Sequence, residues 1–477
     1  MAVSLLNEVQ AHLPQPPGGT LHLPSVLKVI LYSEFLLVTK LEVLSHVIYH
    51  KPKSSHHAVL LEPVEASDVA TLSDRVTQLH VSPIRRVAAL LAEANARKEL
   101  ISFGGGAPSL PPPKEVSDQI IKLISQDSQG ATVYSGTKGY LDLRSLVAGD
   151  WAKRQGEVYD PESEVMLTDG ATEAIYAAFQ SLLNKNDEVL ITDPSYLGYL
   201  EAAQLAGGRV VRLPVSVEQS YQPDLELTKS CITRRTKIVL LLSPDNPTGR
   251  IVEADYAKGL LDLAIDNDFW IIYDATYRDV VYGDRGEAQP RLTTFPGAHE
   301  RVIALGSFSK EASVPGLRLG YVLGPKKAND AIEKIKQYTS LAPNTLSQRA
   351  MVTFLSGDTK ERYLRDFVIP TYAKRRDFMV QAIEKYLPDA NTVTPDGAFY
   401  FFVDMRKYLA TMQTTDEQFC STLTKQKSVI TIPGSFFGEN GVGHIRLTFV
   451  SEPEERLDAG MKRIGEFVFS YAFATSK

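Results

Sequence analysis

Four residues whose side chains could do chemistry come soon after short apolar runs that are typical of strands. They are an amide, a carboxylate, an amine and a guanidinium: Asn246, Asp274, Lys310 and Arg318. A lysine amine can act as a nucleophile or move a proton, and a carboxylate stabilises a cationic neighbour. An arginine fork binds a phosphate with better geometry than a lysine ammonium does. Each residue alone has an ordinary structural explanation, such as an Asn–Pro turn or a strand-end carboxylate.

A glycine turn after another apolar run could bind an anion. Residues 168–173 read Thr-Asp-Gly-Ala-Thr-Glu, and a stretch with helical periodicity follows. The backbone amides of Ala171 and Thr172 would lie at the start of that helix, where free N–H groups and the helix dipole favour a phosphate. Many strand–helix turns look like this one, so the turn is informative only together with the residues above.

The elements that must position these residues alternate along the chain. Two of the helix-like stretches are Glu173–Leu183 and Asp255–Asn267. This alternation predicts an α/β fold with a mainly parallel sheet that is covered on both faces. Ligands bind beyond the carboxyl ends of the strands in such sheets, which is where the four residues lie. The strand-like runs are Glu164–Leu167, Glu188–Thr192, Lys237–Leu242, Trp270–Tyr273, Val302–Leu305 and Leu319–Leu323.

The chain after about Glu361 has a different pattern. It mixes helical stretches with two strand-like runs, Ala398–Val403 and His444–Val450, and this predicts a smaller α+β domain. We therefore expect four segments. They are an N-terminal extension at 1–73, an arm with part of the small domain at 74–117, a large domain at 118–360 and a small C-terminal domain at 361–477.

The N-terminal extension contains two segments that could suggest a special role. Leu21–His50 is apolar, but charges such as Lys28 and Glu34 interrupt it. Because central charges are costly in lipid, we expect an amphipathic helix rather than a membrane span. His50–His57 contains three histidines without a metal-ligand spacing, so we expect a solvated linker. The sequence assigns no function to residues 1–73.

Composition excludes several classes of protein. A formal net charge of −6 gives no general reason to bind nucleic acid or an anionic membrane. Cys231 and Cys420 are the two cysteines, too few and too far apart for a disulfide framework or a cysteine zinc site. We expect both to be small buried apolar residues. With no signal or transit peptide pattern, the sequence predicts a cytoplasmic protein, and import into an organelle stays open.

Three motifs and their spacing match a known arrangement. Asp274 lies 28 residues after Asn246, Lys310 lies 36 after Asp274, and Arg318 lies 8 after Lys310. The motifs read Pro-Asp-Asn-Pro-Thr-Gly at 244–249, Gly-Ser-Phe-Ser-Lys at 306–310 and Pro-Gly-Leu-Arg at 315–318. From about Arg75 onwards, the chain resembles the aspartate aminotransferase superfamily of fold-type-I pyridoxal-phosphate enzymes (class I/II aminotransferases). The resemblance implies pyridoxal 5′-phosphate as cofactor and a seven-stranded-type sheet in the large domain.

The resemblance also implies catalytic roles. Lys310 would form a Schiff base with the cofactor aldehyde and later act as the general base on the substrate α-proton. Asp274 would keep the ring nitrogen protonated, so that the ring can absorb negative charge. Asn246 and Tyr277 would hydrogen-bond the 3′ oxygen of the ring. No metal is implied.

Further residues match the family's binding positions. Tyr196 would stack on the cofactor ring. Tyr134 would reach the phosphate of a neighbouring subunit, which implies a homodimer with shared sites. Arg446 would bind the substrate carboxylate bidentately, with Asn246 and the backbone of Gly106 beside it. The phosphate-binding set would be Ala171, Thr172, Ser307, Ser309 and Arg318.

The predicted activity is ping-pong transamination between an amino acid and a 2-oxo acid. Two alternatives stay open, namely a lyase or synthase on the same fold (a carbon–sulfur lyase or an aminocyclopropane-carboxylate-synthase-like enzyme) and an inactive scaffold. The Gly-Gly-Gly-Ala-Pro run at 104–108 resembles the kynurenine/2-aminoadipate branch, whereas the motif at 244–249 resembles the aspartate branch. No second arginine for a distal carboxylate can be located. The substrate class therefore stays open.

Overall fold

The three-dimensional structure is a computed structural model. It describes residues 72–77, 79, 99–126, 131–286 and 289–474. The predictions for Leu21–His50 and His50–His57 lie outside the described residues. The division of the chain into four segments stays a prediction.

A seven-stranded sheet forms the centre of the described structure. Its strand order is β2-β8-β7-β6-β5-β3-β4, and β8 alone runs antiparallel to its neighbours. A three-stranded antiparallel sheet has the order β11-β12-β9, and β1 pairs with β10. The strands are β1 Ile101–Ser102, β2 Val165–Thr168, β3 Glu188–Asp193, β4 Arg209–Pro214, β5 Thr236–Leu242, β6 Trp270–Asp274, β7 Val302–Ser307, β8 Gly320–Leu323, β9 Tyr400–Asp404, β10 Val429–Ile430, β11 Ile432–Pro433 and β12 His444–Thr448.

The helices cover both faces of the large sheet and continue into the C-terminal part. A short π-helical segment, Leu364–Val368, joins the eleventh helix to the long twelfth. The helices are α1 Asp74–Thr77, α2 Lys114–Gln126, α3 Leu141–Gln155, α4 Ala171–Leu182, α5 Gly198–Leu205, α6 Leu225–Cys231, α7 Ala254–Asn267, α8 Phe308–Glu311, α9 Lys326–Gln337, α10 Thr345–Leu355, α11 Thr359–Tyr363, α12 Ile369–Tyr386, α13 Arg406–Met412, α14 Asp416–Lys427 and α15 Glu454–Ala474.

Alternation of side chains along each strand gives the large sheet two apolar faces. In β6, Ile271 and Tyr273 belong to one buried cluster, whereas Ile272 between them belongs to the cluster on the opposite face. Because both faces are buried, the strands are apolar throughout rather than alternately polar. The sheet is thereby fixed between two helical layers. Its carboxyl edge, at which the parallel strands end, is therefore held in place.

The structure confirms the predicted fold class, a mainly parallel seven-stranded sheet with a smaller α+β part. The predicted strand-like runs lie within two residues of observed strands. The sequence pattern did not predict β4, an edge strand whose burial is partial because Arg209 and Arg212 interrupt its apolar residues. The expectation for the cysteines was right for Cys420, which is buried, and wrong for Cys231, which lies half-buried at the end of α6.

Candidate functional site

A cavity of about 300 Å³ lies at the carboxyl edge of the large sheet. That volume is at the lower end of the range found for small-ligand sites. Tyr134 is the one predicted site residue that does not line it. Its side chain is 84% exposed on the surface of the described chain. The predicted residues that line the cavity are Gly106, Ala171, Thr172, Tyr196, Asn246, Asp274, Tyr277, Ser307, Ser309, Lys310, Arg318 and Arg446.

Lys310 lies in the four-residue helix α8, directly after the central strand β7. Ser307 caps this helix by accepting a hydrogen bond from the Ser309 amide, so the backbone turns back at the edge of the sheet. The Lys310 ammonium donates to the Gly106 carbonyl oxygen at 2.7 Å. Burial lowers the pKa of Lys310 below its usual value, and Arg446 and Arg318 lower it further against an opposing effect of Tyr400. A lowered pKa increases the fraction of neutral, nucleophilic amine.

Asp274 ends strand β6 and is almost completely buried. Its Oδ2 accepts a hydrogen bond from the Tyr199 hydroxyl at 2.7 Å, and its Oδ1 accepts from the Thr276 hydroxyl at 2.6 Å. Burial raises the pKa of Asp274 above its usual value, whereas the bonds from Thr276 and Tyr199 lower it. Among the described residues, no basic side chain forms an ion pair with this carboxylate. A cation in the cavity would therefore stabilise it.

Three glycines pack closely beside Arg318 and shape the cavity surface at the start of α4, which Ala171 and Arg318 line. A Cβ atom on Gly320 would lie 2.7 Å from the Gly306 carbonyl oxygen and 2.8 Å from the Gly170 carbonyl carbon. A Cβ atom on Gly170 would lie 2.6 Å from Arg318 Nη2, so the guanidinium can cross this turn only because Gly170 has no side chain. In the described part of the chain, no carboxylate pairs with Arg318. The surface is suited to an anion such as phosphate.

The hydroxyl groups of Ser307 and Ser309 extend this surface. Their oxygens lie 3.0 Å apart, and both side chains are buried. Ala171 and Thr172 contribute the first helical amides of α4, after Gly170 with φ of 81°. The predicted phosphate-binding residues are therefore brought together at one end of the cavity.

Arg446 is a buried cation in β12, the middle strand of the small sheet. It is 3% exposed, so it is not a solvated arginine at a strand edge. Its Nη1 donates to Asn246 Oδ1 at 3.0 Å and its Nη2 to the Gly104 carbonyl oxygen at 2.8 Å, while its Nε has no hydrogen-bond partner among the described residues. Its guanidinium carbon lies 4.3 Å from the centre of the Tyr400 ring. Within the described residues, no carboxylate neutralises Arg446, which suits it to a carboxylate ligand.

Three hydroxyl-bearing residues that line the cavity were not predicted from the sequence: Tyr199, Thr276 and Tyr400. Tyr400 and Tyr277 share a hydrogen bond between their hydroxyl groups at 2.9 Å. A Cβ atom on Gly106 would lie 2.1 Å from the Tyr400 hydroxyl, so a side chain there would have to displace the Tyr400 ring. Tyr199 lies in α5 and Tyr196 precedes that helix, and their rings pack edge to face with centroids 5.2 Å apart.

Two features are absent from the part of the chain that the structure describes. No described helix has both the length and the apolar character needed to cross a membrane. Within the same residues, no cluster of histidine, cysteine and acidic side chains could bind a metal ion. The cavity is thus the described region in which the predicted chemical groups converge.

Comparisons with known proteins agree with this geometry. The family described as aminotransferase class I and II matches residues 98–464. An aspartate aminotransferase from Thermotoga maritima is 31% identical over 84% of this chain and 100% of its own. An aromatic-amino-acid aminotransferase from Thermococcus litoralis is 28% identical over 82% of this chain and 97% of its own. The solved structure of aspartate aminotransferase from Thermus thermophilus with maleate superimposes with a TM-score of 0.76 at 26% identity, over 83% of this chain and 100% of that one.

We expect Tyr199→Phe to raise the pKa of Asp274 further. The hydroxyl of Tyr199 stabilises the charged carboxylate, so its removal favours the protonated form at any given pH. The measurement is pH-dependent infrared difference spectroscopy of the ligand-free protein, with Asp274→Asn identifying the carboxyl band. Tyr196→Phe is the matched control, because its hydroxyl makes no hydrogen bond to Asp274. An unchanged or lower pKa in Tyr199→Phe would show that this hydrogen bond is not what stabilises the carboxylate.

Proposed function

Because this chain belongs to the class I and II aminotransferase family, we propose that the cavity is the active site of a transamination reaction and that Lys310 binds the cofactor. The chain is an aminotransferase, and pyridoxal 5′-phosphate is its expected cofactor, as the sequence predicted. The observation that carries the proposal is that one cavity is lined by Lys310, whose pKa is lowered, and by Asp274, which pairs with no basic side chain among the described residues.

The polar groups of the cavity fit the polar ends of pyridoxal phosphate. The amine of Lys310 would hold the aldehyde end, and the carboxylate of Asp274 would pair with the ring nitrogen. The surface around Gly170 and Arg318 would hold the phosphate. Tyr196, which is half-buried in the cavity wall, would contact the ring face. Among the described residues, Lys310 and Arg318 hydrogen-bond to carbonyl oxygens and pair with no carboxylate. Asp274 accepts from hydroxyl groups and pairs with no basic side chain there, so the charged groups of the cofactor would complete these pairs.

Proton transfer is the chemistry that this chain's residues would carry out. When bound, pyridoxal phosphate supplies an aldehyde for attachment and an electron-withdrawing ring that accepts the charge left by the departing α-proton. Lys310 would take that proton as general base, which its lowered pKa favours. Asp274 would hold a proton on the ring nitrogen, because a cation beside a buried carboxylate removes the cost of its burial. The Nδ2 of Asn246 and the hydroxyl of Tyr277 would donate to the ring oxygen.

The substrate would be oriented by the other end of the cavity. Arg446 would bind the α-carboxylate with the two guanidinium nitrogens that now contact Asn246 and Gly104. The backbone of Gly106 would approach the same carboxylate. Fixing the carboxylate selects which bond at Cα faces the ring, and so which bond breaks.

Which amino acid serves as substrate depends on the charged side chains that line the cavity. The named relatives act on aspartate or on aromatic amino acids. The basic side chains among the described cavity residues are Lys310, Arg318 and Arg446, and each has a role above. The described lining of this protomer therefore holds no further cation for a distal carboxylate. A screen must include both dicarboxylic and aromatic donors.

We expect single amino acids to convert the holoenzyme in a half-reaction. Adding an amino acid that serves as donor should remove the visible absorbance of the lysine-bound cofactor and release the corresponding 2-oxo acid. Lys310→Ala should lose about 10²- to 10⁴-fold of the rate, because the general base is missing. Borohydride reduction followed by mass spectrometry should find the cofactor on Lys310 in the wild type. Elimination products without a 2-oxo acid–pyridoxamine phosphate pair would favour a lyase, and a wild type that cannot be loaded would favour an inactive scaffold.

We also propose that the active unit is a homodimer in which Tyr134 serves the partner's site. Tyr134 is exposed and lies outside its own chain's cavity. Val133, Ile121 and Ile124 are exposed apolar side chains on the described chain, and exposed apolar groups of this kind are typical of an interface.

A cytoplasmic, reducing location is proposed from the two free cysteines.

A hybrid dimer tests the sharing of sites. Co-expression of Tyr134→Phe and Lys310→Ala chains should regenerate one intact site, since the chain with Lys310 would receive Tyr134 from its partner. We expect the hybrid to exceed both parent homodimers in activity at limiting cofactor. Activity no higher than the average of the parents would contradict shared sites.

A further inference from the structure

A buried cluster of charged residues lies next to the segments that carry Asp274 and Lys310. At its centre is Lys360 in α11, whose whole residue is 1% exposed. Its Nζ lies 2.7 Å from Glu311 Oε2, 2.8 Å from Asp150 Oδ2 and 2.8 Å from Asp279 Oδ2. One ammonium therefore contacts carboxylates from three separate parts of the chain.

Two arginines complete the cluster. Arg278 pairs with Asp150 and also with Asp279, at 3.4 Å between Nε and Oδ2. Arg154 Nη1 lies 2.5 Å from Asp279 Oδ1. Three acids thus face three bases. Buried charges persist only where such partners are available, so the members of the cluster hold each other in place.

The titration behaviour of the acids reflects these contacts. Burial acts to raise the pKa of Asp279, but Lys360, Arg278 and Arg154 outweigh it and hold that pKa well below its usual range. Burial raises the pKa of Glu311 to about 8, although Lys360 lowers it.

The positions of two acids link the cluster to the active site. Asp279 comes two residues after Tyr277, in the turn that follows Asp274 at the end of β6. Glu311 is the residue next to Lys310 in α8. The Lys360 ammonium therefore joins the segment that carries the acid to the segment that carries the amine.

We propose that Lys360 is a positioning residue, which fixes the separation between the Lys310 amine and the Asp274 carboxylate by binding Glu311 and Asp279 at once. The proposal rests on the function proposed above, because it concerns those two groups. Lys360 does not line the cavity and contacts neither of them directly. Its effect on the reaction is transmitted through the backbone of the turn after β6 and of α8.

The test uses the holoenzymes of Lys360→Met and Lys360→Arg. We expect Lys360→Met to lower kcat of the half-reaction about 10- to 100-fold, the cost typical of a small misplacement of reacting groups. KM for the amino acid should change little, because Arg446 belongs to the small sheet. The pH titration of the visible absorbance of bound cofactor should also shift, since that absorbance reports the surroundings of Lys310. Lys360→Arg, which keeps the charge, should restore both quantities towards the wild type.

A matched control separates positioning from a general loss of stability. Asn329 is buried to a similar degree and donates hydrogen bonds to the Glu164 carbonyl oxygen at 3.0 Å and the Gly324 carbonyl oxygen at 2.9 Å, at the opposite edge of the large sheet. Asn329→Leu should lower the melting temperature while kcat and the titration of the absorbance stay as in the wild type.

Several outcomes would overturn the proposal. A folded Lys360→Met holoenzyme with wild-type kcat and wild-type absorbance titration would do so, as would equal losses in Asn329→Leu. If Lys360→Met does not fold, Glu311→Gln is the deciding variant, because it keeps Lys360 but weakens the contact between Lys360 and α8. Glu311→Gln should shift the pH titration of the cofactor absorbance. An unchanged titration would overturn the proposal. A wild type that carries no cofactor on Lys310 would instead contradict the proposed function itself.

Discussion

The carboxylate of Asp274 is buried at the end of a central strand without a basic partner among the described residues, and the rest of the site depends on this constraint. Burial of an uncompensated charge is costly, so the protein surrounds it with hydroxyl donors from Tyr199 and Thr276. These hydrogen bonds favour the ionised form of the carboxylate, but they bring no positive charge that would neutralise it. The carboxylate can therefore still attract a cation in the cavity, which under the proposed function would be the protonated ring of the cofactor.

The register of the sheet brings the reacting groups to that carboxylate. Strands β5, β6 and β7 are parallel neighbours, and Asp274 pairs with Leu242 on one side and with Leu305 on the other. The chain leaves all three strands at the same edge, so Asn246, Asp274 and Lys310 meet although they are far apart in sequence. The small sheet contributes Arg446 from the other side. Under the proposed function, substrate binding and proton transfer would fall to residues of different sheets, and both sets of residues line the cavity.

Much of this could be predicted from the sequence, because apolar runs and the residues that follow them carry strong local signals. The strand ends identified Asn246, Asp274 and Lys310 without any knowledge of tertiary contacts. The edge strand β4 was missed because its arginines conceal the apolar pattern. Cys231 was expected to be buried, but its position at the end of a short helix leaves it half-buried. Local patterns indicate elements well and the exposure of single residues poorly.

Contacts over long sequence separations could not be predicted. Tyr199 reaches Asp274 across 75 residues, and the Tyr400 hydroxyl reaches Tyr277 across 123. Lys360 contacts an acid 210 residues away, and nothing in its local sequence distinguishes it from a surface lysine. Such partners are set by how elements pack, so they become visible only in three dimensions. They are also the residues that adjust the chemistry of the groups that the motifs reveal.

The most direct test of the pairing between Asp274 and the cofactor is ¹⁵N NMR of the holoenzyme loaded with pyridoxal phosphate that is labelled at the ring nitrogen. The shift should be that of a protonated ring nitrogen at neutral pH in the wild type. In Asp274→Asn it should be that of a neutral nitrogen, with the cofactor still bound to Lys310. A neutral nitrogen in the wild type, or the same shift in both proteins, would contradict the account.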